Sequence, residues 1–197
     1  MSVHSPKFGC KGAAAVEFSL TLALLWIPLL LCIFDGTYFL LVNEKVDRIA
    51  YTISDIVTQY PETPSCSKMQ DVMLAAGHLM NPVAFNPNTV DEENPATGYV
   101  VVTSVHQSDA NTALIKWRYT YPTSGPGVSA PTSKVQYTAG GGVTLPGGLT
   151  LNANDNVIIT EVFYDFVPMF LDAFVSKTLY REVVYKPRLK PFLVGCQ

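Results

Sequence analysis

The sequence predicts an α+β protein: one long N-terminal helix, apolar and then amphipathic, packed on a small antiparallel sheet. Three observations predict it. Phe18 to Phe34 (FSLTLALLWIPLLLCIF) carries no charged residue. Val42, Val46, Ile49, Ile53 and Ile56 then recur at helical spacing. Four β-rich runs follow in the C-terminal two thirds of the chain.

The first helix is the dominant element. The apolar character resumes at Tyr38 to Val42 after Asp35, Gly36 and Thr37. At 1.5 Å per residue, Ala13 to Val42 extends about 45 Å, beyond the roughly 30 Å of a bilayer's hydrocarbon core. A transmembrane segment is expected over about 18–42, with a kink at Pro28, where one backbone hydrogen bond is lost. Lys45, Asp47, Arg48 and Asp55 occupy the polar faces of the second half, and Pro61 favours a stop near Gln59. A secretory signal peptide would have a shorter apolar core followed by a small-residue cleavage site. No A-x-A pattern follows Phe34, and the helical pattern continues instead. The expected domain order is a leader at 1–12, the long helix at 13–60 and an exported α+β domain at 61–197.

Beyond Pro61, Cys66 to Asn81 has helical apolar spacing, with Pro82 as a stop. Tyr99 to Val105, Ala113 to Tyr121, Val157 to Phe166 and Thr178 to Lys186 read as strands. In the second of these, Ile115, Trp117, Tyr119 and Tyr121 fall on one face by simple alternation. Pro122 to Thr150 holds seven Gly and four Pro, with Lys134 its only charge, and reads as a floppy hairpin or a binding loop.

Composition sets bounds on function. The 197 residues are 48% apolar and 15% charged, with mean hydropathy +0.22, against about 25% charged in an average soluble domain. A net charge of −3 gives no reason to propose nucleic acid as a partner. His4, His78 and His106 are scattered, with no HExxH, no paired CxxC and no G-x-S-x-G elbow. Gly140 to Gly142 lacks the Gly-Lys-Ser/Thr of a phosphate-binding loop. An enzyme is not expected, and no cofactor or metal is implied. Glu161, inside an apolar strand, reads as a partner contact or a buried, paired acid.

Four cysteines occur. Cys10 precedes the apolar run, and Cys32 lies inside it and reads as a small buried hydrophobe. Cys66 and Cys196 both lie beyond the run, and in an exported domain they are the natural pair. In the chain-entropy model a loop of about 130 residues implies roughly 4 to 5 kcal/mol. Lys7 and Lys11 before the run face Lys45 and Arg48 after it, so the basic residues alone orient the helix weakly. The cysteine pair and the polar C-terminal part favour the N-terminus inside and the C-terminus outside.

The residue that focuses the reading is Glu17, set in Lys11-Gly12-Ala13-Ala14-Ala15-Val16-Glu17-Phe18. A carboxylate there suits an interfacial helix N-terminus through the helix dipole. The setting also resembles the class III signal of pilin-like proteins, and its wording is most similar to the TadE/TadF family of the tight-adherence (Flp, type IVc) pilus system. The resemblance extends to Asn156–Pro168 (NVIITEVFYDFVP) and to Lys186-Pro187-Arg188 near the end. It implies a pilin-like fold and a minor pilin or pseudopilin in the cytoplasmic membrane. A prepilin peptidase would cut between Gly12 and Ala13, making Glu17 the fifth residue of the mature chain, followed by Phe18. It further implies that Glu17 meets the N-terminal amine of a neighbouring subunit, and that the partners are other pilin subunits and pilus platform proteins. A late cysteine paired with one just after the long helix is also familiar from TadF-like members. An unprocessed, membrane-anchored adhesin or sensor domain is the alternative.

Overall fold

The computed structural model describes residues 12–61, 64–86, 90–108, 112–123, 125–138, 142–170 and 177–188. It contains α1 (Ala13–Gln59), α2 (Cys66–Met80), β1 (Gly98–Gln107), β2 (Ala113–Tyr121), β3 (Asn156–Phe166) and β4 (Lys177–Tyr185), with a one-turn 3-10 helix at Pro146–Gly148. The strands form one antiparallel sheet in the order β2-β1-β3-β4. The long helix packs against this sheet in a pilin-like architecture.

α1 stops at Gln59, because Tyr60 turns to an extended conformation ahead of Pro61. It runs unbroken through Pro28. Its two halves differ in what they touch. Side chains from Ala13 to Phe34 are exposed, apart from a half-buried Leu31, whereas Val42, Val46, Ile49, Ile53 and Val57 are fully buried. The change occurs inside the expected 18–42 segment. Tyr38 and Phe39 already pack on Phe166, with ring centroids 5.4 and 5.3 Å apart.

The helix face of the sheet supplies Val100 and Val102 from β1, Ile158 and Val162 from β3, and Leu179 and Val183 from β4. These meet the α1 stripe, and α2 adds Met69, Val72, Met73, Ala76 and Met80 to the same core. Ser65 caps the start of α2, its Oγ accepting from the Lys68 amide. Lys45 of α1 serves the other end, donating to the carbonyls of Leu79 and Asn81 at 3.4 and 2.6 Å. A cation there satisfies carbonyls that the helix leaves open.

The expected alternation along β2 holds only from Trp117 onward. Ser104 pairs with Trp117 but Val105 pairs with Ile115, so a bulge at Lys116 reverses the faces. Trp117, Tyr119 and Tyr121 face the helices, while Ile115 joins Val105, Ala113, Val157 and Ile159 on the opposite face.

Part of the described Gly/Pro-rich connection packs on that opposite face. Val135 is fully buried against the outer apolar cluster, with Val143, Leu145 and Leu151 packed beside it. Thr138 and Gly142, and Thr144 and Gln136, are joined by backbone hydrogen bonds of 2.7 and 2.9 Å that frame a short hairpin. Gly127 sits at φ +71°, where a Cβ would lie 1.8 Å from the Asp91 carbonyl oxygen, so this turn requires glycine.

Burial pushes the Tyr164 phenol up to about 12, with smaller contributions from Tyr38 and Asp165, while its hydroxyl donates to the Ala84 carbonyl at 3.1 Å. A folded-state pKa above the ordinary 10 makes this contribution complete below about pH 10. It is lost as the pH rises through about 12. Stability measured by chemical denaturation is therefore expected to fall steeply over that interval, and Tyr164→Phe to flatten the fall.

Candidate functional site

Two regions carry the residues singled out from the sequence. The first is the bare start of α1. Gly12 is the N-cap, with φ −89° and ψ −23°, and its carbonyl accepts from the Val16 amide at 3.1 Å. The helix thus begins at the Gly12–Ala13 bond itself. A Cβ on Gly12 would meet no atom of the described residues within 4 Å, so their fold places no demand for glycine there. Glu17 and Phe18 lie on the exposed stretch, and the Glu17 carboxylate has no hydrogen-bond or ion-pair partner among the described residues. The hydroxyls of Ser19, Thr21 and Thr37 each bond the carbonyl four residues earlier at 2.8 Å, which satisfies these hydroxyl donors within the helix. Cys32 is a free thiol exposed on the same bare helix, not buried in the protein. The helix is long and apolar enough to cross a membrane.

The second region ties the C-terminal strand to α1. Arg181 on β4 forms an ion pair with Asp47 and donates to the Asn43 side chain at 2.9 Å. Arg188 pairs with Asp55 at 2.5 Å, and its amide donates to the Thr58 carbonyl at 3.2 Å. Lys186 pairs with Asp155 at 2.8 Å and holds that carboxyl below the usual range. The Lys186-Pro187-Arg188 segment therefore acts as a clasp between the end of the sheet and the amphipathic half of the helix.

Glu161 is fully buried on the outer face of β3. Ser133 Oγ donates to its Oε2, while the Lys134 amide and the Tyr180 hydroxyl donate to its Oε1 at 2.8 and 3.1 Å. Tyr180 also hydrogen-bonds Glu182, and burial together with these two carboxylates pushes its phenol far up. The Lys134 ammonium rests 3.5 Å from the Tyr180 ring centroid. Of the two sequence readings of Glu161, the buried and hydrogen-bonded acid is the one present. It clamps the Gly/Pro-rich connection to the sheet.

Cys66 opens α2 and is not a free thiol. Cys196, its expected partner, and Cys10 lie outside the described residues. Sequence reasoning passed over Asp35, which is buried in the structure although it interrupts the apolar stretch of α1. A lone carboxylate beside such a run is itself a signal, but its partners lie more than 130 residues away in the chain.

Comparison with family models, with curated proteins and with solved structures found no match for the chain.

Proposed function

We propose that the chain is a minor pilin or pseudopilin of TadE/TadF type that helps initiate or cap a type IVc pilus. In this reading a prepilin peptidase removes residues 1–12, and the mature protein keeps its helix in the cytoplasmic membrane. The N-terminus lies inside and the α+β domain outside. The observation that carries it is the division of labour along α1. Its first 22 residues carry no charge apart from Glu17 and are exposed apart from Leu31, and its second half is in the core of an antiparallel-sheet domain. A bare apolar helix of this length suits lipid in the membrane and the flanks of neighbouring subunits in an assembly.

Glu17, which has no partner among the described residues, fits the same reading. A carboxylate near the edge of a bilayer is costly unless it finds an opposite charge. Cleavage after Gly12 creates that charge at Ala13, on this chain and on each neighbouring copy. Pairing between subunits would then set axial register. Glu17→Gln is expected to be cleaved normally, because the scissile bond is untouched, yet to fail to enter the assembly. Mass spectrometry of the membrane fraction and co-purification with tagged partner subunits read the two steps separately. Normal co-purification of the variant would remove the register role.

A further inference from the structure

Asp35 closes the charge-free stretch that Glu17 opens. The 17 residues from Phe18 to Phe34 span about 26 Å as helix, close to the roughly 30 Å hydrocarbon core. If α1 is the membrane anchor, Asp35 stands at the far boundary of the bilayer. There the structure folds a second piece of chain against the helix. The turn that follows β3 presents its backbone to the Asp35 carboxylate. The Met169 amide donates to Oδ1 at 3.0 Å, and the Phe170 amide lies 3.3 and 3.4 Å from the two oxygens. The Phe170 ring sits 6.4 Å from the Phe34 ring, centroid to centroid.

The side chains of this turn do not use the protein to hide. Val167 is 56% exposed, Met169 69% and Phe170 53%, although they are among the most apolar residues in the domain. A mostly apolar groove of about 360 Å³ between α1 and the turn is lined by Cys32, Asp35, Phe39, Phe166, Pro168 and Lys177. Three exposed apolar side chains continuous with a bilayer-length apolar helix form one surface, not a scatter. The exposed Lys177 has a long stem that can carry its ammonium to lipid headgroups.

We propose that the Val167–Phe170 turn is a second membrane contact. Its apolar side chains enter the outer interfacial layer beside α1, and Asp35 locks it at that depth. The proposal rests on the reading of α1 as the anchor. It gives Asp35 a role that its position alone leaves unexplained: backbone amides satisfy its carboxylate where water is scarce. It also fixes how the domain and α1 tilt together against the membrane surface.

The test uses the full-length chain with Cys10→Ser and Cys32→Ser, reconstituted in phosphatidylcholine–phosphatidylglycerol vesicles. A spin label is placed in turn at Met169→Cys, at Leu24→Cys in the bare helix, and at Lys116→Cys on the exposed bulge of β2. Collision with oxygen and with a water-soluble nickel chelate is measured at each site. The expected result is a lipid-like ratio at Leu24, an aqueous one at Lys116, and a ratio at Met169 several-fold above that at Lys116. A lipid-like Leu24 with an aqueous Met169 overturns the second contact and leaves the anchor standing. An aqueous Leu24 overturns the anchor and the proposal together. A shielded Met169 label whose spin–spin broadening disappears on dilution with unlabelled protein assigns the turn to a second copy of the chain and overturns the lipid contact. Asp35→Ala is expected to lower the Met169 ratio towards the aqueous value while that at Leu24 is kept. An unchanged ratio at Met169 removes the lock.

Discussion

Glu161→Ala is expected to destabilise the domain by about 3 kcal/mol and to detach the segment around Val135 from the sheet. The wild-type carboxylate is fully buried and receives donors from Ser133, Lys134 and Tyr180. Truncation leaves the Lys134 amide without its acceptor, while Ser133 keeps the Val135 carbonyl and Tyr180 keeps Glu182; a donor stranded out of water costs about 1 to 3 kcal/mol. Part of this is offset, because the carboxylate no longer has to be held out of water. The outcome should read as a fall of roughly 10 °C in Tm for a domain of this size. Faster amide exchange is expected at Lys134, Val135 and Gln136. Glu161→Gln should fall between the two, since it keeps one acceptor oxygen but turns an amide group toward existing donors. If exchange at Val135 were unchanged in the alanine variant, apolar packing against Val105 and Ile159 would be holding the segment without the clamp.

The second large effect concerns maturation. Gly12→Val is expected to leave the protein as full-length precursor in the membrane of its host. In the proposed function the peptidase must reach the carbonyl of residue 12, and a β-branched side chain there crowds both faces of the scissile bond. The structure makes the experiment clean. A Cβ at Gly12 meets no atom of the described residues within 4 Å, and the residue has φ −89°, which valine tolerates. The folded domain should therefore keep its Tm while the mature form disappears from an immunoblot. A variant that is cut as efficiently as wild type would show that glycine is not what the protease reads.

Much of the architecture was legible in the sequence because it is set locally. Pro61 ends α1 and Pro82 follows α2, and the strand limits lie within two residues of the β-rich runs. The buried stripe from Val42 to Ile53 follows from a period near 3.6, which no long-range fact can alter. The failures share a cause. The β2 bulge depends on how β1 pairs with it, and simple alternation carried Ile115 to the wrong face. The Gly/Pro-rich connection looked unstructured because its anchor, Glu161, lies 27 or 28 residues away in the chain. Asp35 is the extreme case, meeting amides 134 and 135 residues later. Of the candidate site residues, Gly12, Ala13, Glu17 and Phe18 were readable as a motif, and the structure adds that they are exposed at the N-terminal end of α1.

The most direct test of the account is the N-terminal sequence of the protein purified from the membranes of its native host. The expected result is a mature chain that begins at Ala13, with Glu17 as its fifth residue and the helix intact. A chain that begins at or next to Met1 would contradict it, leaving an unprocessed membrane anchor. A start beyond Phe34 would contradict it more deeply, since the exposed first part of α1 would then be a discarded signal.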